Sequence, residues 1–341
     1  MNTKAAAAAN QAGLEAFAQA DPSRAAQLLR QAYGHWASEL GILVNLGLAL
    51  MQQGRPELAQ RCYELARRSP DRRVRRSACK NLGFLHLWRG EWQQGWHWHG
   101  RRFEGEDFLA NQWRGDPLNG RPLLVWNDVG MGDAFQFVRY TKPLLERGER
   151  VMLAVEASQI ALFRQHLAWP LEAVVNRDQV NLEAGPHIPL MSLIGLLDPS
   201  TSWGRHWAGP TWRLPELAER KHLGLCWASN PGDRSLHSYK SLRPEQLLQR
   251  CSHAERALPL LSLQTDEAEA HHRLGLMAPQ RCWISTLALT NQCQQIHSVD
   301  TAVAHLAAGA GIPVKLHLAA NADWRWQATG AQWYPSLEIA G

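Results

Sequence analysis

A repeat governs the first hundred residues and limits what they can fold into. The segments NQAGLEAFAQADPSRAAQLLRQA (10–32), NLGLALMQQGRPELAQRCYELA (45–66) and NLGFLHLWRGEWQQGWHWHG (81–100) align on Gly13, Gly47 and Gly83, which lie 34 and 36 residues apart. Seven residues further on, the second and third segments carry Gly54 and Gly90, and Ala20 holds that place in the first. Such a period marks stacked supersecondary units. Each unit reads as a helix, a tight turn and an antiparallel helix. Small residues at Gly47, Gly83, Ala25 and Ala59 let the two helices approach, while Leu46, Leu50, Tyr63, Leu82, Trp92 and Trp96 fill the remaining space. One such unit cannot bury its apolar face alone, so neighbours must stack. Three units is the low end for a stable array, and this one is expected to lean on the later part of the chain.

From about residue 121 the texture changes. RPLLVWND (121–128), ERVMLAVE (149–156) and LEAVVN (171–176) read as buried strands, and HIPLMSLIGLL (187–197) as a strand running into a helix. The amphipathic segments 133–148, ended by Gly148, and 158–167 lie between them. Residues 201–221 look like a linker. Beyond it comes a second alternating block, with strands at 222–229, 257–264, 281–286, 296–300 and 312–319, and helices at 243–251, 265–275, 287–295 and 301–311. Strands alternating with helices argue for parallel sheets. The expected class is therefore α+α/β: helical repeats over 8–103, one Rossmann-like lobe over 112–215 and another over 222–341. Ligands of such lobes sit at the carboxyl ends of strands.

Composition narrows the function classes. With 45% hydrophobic and 20% charged residues among 341, the chain is neither disordered nor a long coiled coil. No run approaches the roughly 18 apolar residues of a membrane span. The start, MNTKAAAAANQAGLEAF, lacks the apolar core of a signal peptide, so a cytoplasmic protein is expected. A net charge of +5 permits an anionic partner. The basic stretch RRSPDRRVRRSACK (67–80) reads as a solvated inter-repeat turn, and no aromatic interleaving suited to bases accompanies it. No nucleic-acid partner is expected. The six cysteines form no CxxC, and His97 and His99 point apart on a helix, so no metal site is expected.

Several short segments carry residues fit for chemistry. In NDVGMGDAFQF (127–137), Gly130 and Gly132 bend the backbone at a strand-to-helix turn, and Asp133 lies at the helix start. Asp133 fits either a helix cap or a functional carboxylate. In IHSVDTAVAHLAAGAGIPV (296–314), Asp300 and Thr301 open a helix and His305 lies one turn on, near the end that favours a phosphate. The plain reading there is a capping aspartate and a satisfied core histidine. After the strand GLCWAS, Ser229-Asn230-Pro231-Gly232 leads into a loop with Arg234, His237, Lys240 and Ser241. A cation there would neutralise leaving-group charge. Gln264 ends a strand and could hydrogen-bond a base or sugar. Arg325 lies between Trp324 and Trp326, before Trp333-Tyr334-Pro335, a segment that also suits a hydrophobic clamp.

Taken in order, these segments resemble a known family. The repeats resemble tetratricopeptide (TPR) repeats, in the N-L-G start and the A…Y…A second helix. GEWQQGWHWHGRRF (90–103), QWRGDPLNGRPLLVWNDVGMGDAFQFVRY (112–140), GLCWASNP, SLQ (262–264), SVDTAVAHLAAGAGIPV and DWRW…WYP resemble the bacterial proteins that join such repeats to a heptosyltransferase-like glycosyltransferase. These are relatives of glycosyltransferase family nine with the GT-B fold. The resemblance implies transfer of a sugar from a nucleotide-sugar, which is a substrate and not a cofactor, with no metal required. The acceptor, a protein or glycan, would lie on the front lobe and the donor on the rear one, with a protein partner in the TPR groove. It implies that Asp133 deprotonates the acceptor hydroxyl. It implies donor contacts from Asp300, Thr301 and His305, with Ser229, Asn230, Lys240, Gln264 and Arg325 around them. The chain has Asn127-Asp128-Val129 where the family has E-Q-G, and fewer arginines come after Asn230. Those departures favour the alternative, a non-catalytic TPR scaffold with a degenerate transferase half.

Overall fold

The computed structural model describes residues 2–340 apart from 208, 216–218, 231, 233, 265–281 and 328–331, and at 234–236 the backbone alone. Its contacts divide the chain into two compact units. The first holds Met1–Leu109, Asn230–Tyr239 and Ala319–Gly330, and the second holds Ala110–Ser229, Lys240–Leu318 and Ala331–Gly341.

Three antiparallel helix pairs make up most of the first unit: α1 (Thr3–Ala18) with α2 (Pro22–His35), α3 (Gly41–Gln52) with α4 (Pro56–Ala66), and α5 (Arg72–Trp88) with α6 (Trp92–Gly100). The glycine spacing acts through close approach. A methyl group on Gly13 would stand 2.8 Å from Leu29 Cγ, and one on Gly83 would stand 2.6 Å from the His99 backbone nitrogen. On Gly47 it would run into the Tyr63 ring. The turn position also repeats, with φ of +68° at Gly54 and +76° at Gly90. Ala20 adopts the same left-handed conformation at +59°, where a side chain is strained. After these turns, Pro22 and Pro56 sit at the starts of α2 and α4, and Asp21 caps α2 by accepting the Arg24 N–H at 2.9 Å.

The array does lean on a later part of the chain. Trp324, in the short helix Trp324–Gln327, meets Trp96 edge-on at 5.7 Å and Trp92 at 6.3 Å. Nearby, the Asn321 amide donates to the Gln52 carbonyl at 3.0 Å.

The second unit holds two parallel sheets. The first is ordered β3-β2-β1-β4, from β1 (Leu123–Trp126), β2 (Val151–Val155), β3 (Ala173–Asn176) and β4 (His187–Pro189). The second is ordered β6-β5-β7-β8-β9, from β5 (His222–Cys226), β6 (Leu260–Ser262), β7 (Cys293–Val299), β8 (Val314–His317) and β9 (Leu337–Ala340). The helices that concern the site are α7 (Met131–Phe137), α8 (Lys142–Glu146), α9 (Ile160–His166), α10 (Leu190–Leu197), α11 (Trp283–Asn291) and α12 (Ala302–Gly309).

Four expectations change. The helix expected over 133–148 tightens to a 3-10 turn at Val138–Thr141 and restarts as α8, with Pro143 in its first turn. The strand expected over 281–286 is the start of α11 from Trp283 onward. There the Cys282 side chain accepts the Ser285 N–H, and β7 begins at Cys293. Its β-branched and aromatic residues favour a strand locally, and capping and packing override that preference. The loop expected after Asn230 contains a helix, Arg234–Lys240. The apparent linker supplies a core residue, because Trp212 is buried between Phe135 (5.5 Å) and Phe163 (5.0 Å). The helix expected at 265–275 lies outside the described residues.

Candidate functional site

Two helix starts meet in the second unit. Asn127 comes after β1 and is buried, and its side-chain amide donates to the Val129 carbonyl at 3.0 Å, which shapes the turn into α7. Gly130 caps that helix in an extended conformation with φ of −69°. Neither Gly130 nor Gly132 has positive φ, so the bend does not call for glycine. Gly132 is needed for proximity. A methyl group there would stand 3.2 Å from Ala302 Cα and 3.1 Å from His305 Cδ2, in the first turn of α12. The second helix start lies just past the carboxyl end of β7.

Asp133 occupies the third position of α7, and its Oδ2 accepts the Gly130 N–H at 2.9 Å. The capping reading of this carboxylate is therefore realised. On the other side, Thr301 caps α12 by accepting the Ala304 N–H at 3.4 Å, and its hydroxyl also lies 3.1 Å from Ser298 Oγ. Asp300 pairs with Lys240 across 2.6 Å. Its other oxygen is 3.8 Å from His305 Nε2. His305 is buried, and its Nδ1 is 3.0 Å from the Tyr334 hydroxyl. The structure thus brings Gly130, Gly132, Asp133, Lys240, Asp300, Thr301 and His305 into one connected neighbourhood.

The other expected residues each have local partners. Gln264 is buried beyond β6, and its Oε1 accepts the Ala228 N–H at 3.0 Å, which ties the ends of β6 and β5 together. Ser229 is half-buried, and its backbone N–H donates to Ser241 Oγ at 3.0 Å. Asn230 is exposed and turns the chain by accepting the Gly232 N–H at 2.9 Å. Arg325 belongs to the first unit, where its guanidinium pairs with Asp323 at 2.9 Å and lies over the Trp324 ring.

Two residues that support this neighbourhood escape a reading of the sequence. The sequence groups Tyr334 only with a C-terminal clamp, yet it holds the His305 ring. Arg139 is fully buried; it donates to the carbonyls of Gln136 (2.7 Å), Trp333 (2.9 Å) and Gly204 (3.0 Å), and it lies over the Tyr334 ring at 4.7 Å. Burial pulls its pKa down, offset by the hydroxyls of Tyr334 and Tyr140. The F-x-R-Y and W-Y-P segments mark both residues, but the contact of Arg139 with Trp333, across 194 residues, has no local signature.

Cys226 ends β5, 3.7 Å from Thr301 Oγ1. Burial pushes its thiol up to about 11, so it stays protonated and is no nucleophile at neutral pH. Among the described residues, no three His, Cys, Asp or Glu side chains are placed to hold a metal ion. No helix among them is long and apolar enough to cross a membrane.

No family model matches the chain, and no curated protein does. Among solved structures, a mutant of the O-GlcNAc transferase of Thermobaculum terrenum is similar at 15% identity and a TM-score of 0.40. That match covers 98% of this chain and 80% of the other. A likeness at that level leaves the functional reading to the residues themselves.

Proposed function

We propose that the protein is a glycosyltransferase that moves a sugar from a nucleotide-sugar to an acceptor hydroxyl. The observation that carries this reading is the meeting of α7 and α12 through Gly132. It puts a carboxylate and a capped helix start with a lysine–aspartate–histidine group in one neighbourhood. In this reading Asp133 takes the acceptor proton as the hydroxyl attacks the anomeric carbon, and the bond to the nucleoside diphosphate breaks. Lys240 and the α12 N-terminus stabilise the negative charge that develops on the leaving diphosphate. Thr301 and His305 contact the diphosphate and sugar, Asp300 holds Lys240 and His305, and Ser229 and Gln264 complete the donor contacts. The helical repeats present the acceptor, a protein or glycan, or hold a protein partner. The chain works in the cytoplasm, without a metal or cofactor.

A second reading has one observation in its favour. Asp133 already caps its own helix and Asp300 is already paired, as in a scaffold that has lost its chemistry. A panel of nucleotide-sugars tested by thermal shift separates the two. The transferase reading expects one nucleotide to raise the melting temperature, and Asp300→Ala and Thr301→Ala to abolish that rise, each measured against its own ligand-free value. A flat response across the panel contradicts it and leaves the scaffold.

A further inference from the structure

The charge of the chain is concentrated in one place. Residues 67–104 carry ten arginines and lysines against three acidic residues, whereas the whole chain is only +5, so everything outside that stretch is net negative. Four arginines, Arg72, Arg73, Arg75 and Arg76, fall within the first five residues of α5, which has no acidic residue in its first turn. Cations at that end oppose the helix dipole. The stability of α5 does not account for them.

Two of the four are used internally. Arg75 donates to the Ser69 and Pro70 carbonyls at 2.8 Å, and Arg76 pairs with Glu106. Arg67, Arg68, Arg72, Arg73 and Arg101 are exposed, and none of them has a carboxylate partner among the described residues. The aromatic that the linear stretch lacks comes from α6. The guanidinium of Arg67 lies 5.2 Å from the centroid of the Trp98 ring, and that of Arg101 lies 5.5 Å from it. One indole thus orders two arginines side by side, which lowers the entropy lost when they grip an anion.

We propose that this face, centred on Arg67, Trp98 and Arg101, docks an acidic polypeptide segment. Guanidinium forks match carboxylates in pairs. The indole is already engaged by the protein's own cations, so it is not an open platform for a base, and this favours a carboxylate-bearing chain over a single-stranded nucleic acid. The inference is independent of the transferase reading.

The test is fluorescence anisotropy of the full chain with a labelled ten-residue polyglutamate peptide, a polyglutamine peptide of equal length and a ten-nucleotide oligo(dT). The acidic peptide is expected to bind more tightly than either other probe, and to weaken as salt rises from about 50 to 200 mM. Arg67→Glu with Arg101→Glu should weaken it at least about tenfold. Arg68→Gln with Arg73→Gln, a pair of surface changes, should weaken it by about threefold with the circular dichroism spectrum unchanged. Tighter binding of oligo(dT), equal binding of polyglutamine, or affinity unaltered in both variant pairs would overturn the proposal.

Discussion

Ala20 shows how much one dihedral angle decides. The repeat requires a left-handed residue between paired helices, and Gly54 and Gly90 meet that need without strain. Ala20 meets it with a Cβ present. Relief of that strain exceeds the extra chain entropy that glycine brings, so Ala20→Gly is expected to stabilise the protein by about 0.5–1 kcal/mol. Thermal unfolding reads this directly, and an unchanged or lower melting temperature would refute it. Gly132 teaches the opposite lesson about glycine. The sequence invites a bend there, but the structure uses the missing side chain to let α12 approach.

At the scale of elements, β7 and β8 carry a buried histidine pair. His297 Nδ1 lies 3.0 Å from His317 Nε2, and His297 Nε2 lies 3.3 Å from Glu255, which Lys315 also meets at 2.8 Å. Burial, and then the neighbouring His297, Arg250 and Lys315, hold His317 down at about 4, against an ordinary 6.5. Burial pushes Glu255 up, but hydrogen bonds from Lys315, Ser252 and His297 outweigh it and keep the carboxyl at about 2. Both groups bind protons more readily when unfolded. Stability is therefore full above about pH 6.5, falls toward pH 4 as the unfolded imidazole charges, and falls further below 4.5 as Glu255 is lost. Denaturant unfolding of the protein beside His317→Gln should show a smaller loss between about pH 6.5 and 4 in the variant. Equal losses would contradict the assignment.

The same scale shows what the sequence makes legible. Gly13, Gly47 and Gly83 reveal the helix pairs because close approach leaves a periodic absence of side chains. The strands β1, β2, β3, β5 and β8 stand out as apolar runs. What is hidden depends on distant partners. The β9 strand, Leu337–Ala340, has the pattern of a tail until β8 pairs with it. Trp212 lies in a Gly- and Pro-rich segment, yet Phe135, Phe163 and Gly309 enclose it. At the site, Asp133, Asp300, Thr301 and His305 are readable as helix starts. Tyr334 and Arg139 are not, because their part in the site exists only through tertiary contacts.

In the molecule as a whole, the last stretch of chain serves both units. Residues 319–327 bring Trp324 to the helical array, and residues 332–340 bring Tyr334 and β9 to the second unit. That second unit holds the two helix starts on which the functional reading rests. The central claim is that Asp133 acts on the acceptor while the α12 side holds the donor. The direct measurement is Asp133→Asn, assayed for donor affinity by calorimetry and for nucleoside diphosphate release in the presence of acceptor. The account predicts donor affinity within about twofold of the parent and release lowered by about a hundredfold or more. Undiminished release in Asp133→Asn would contradict it.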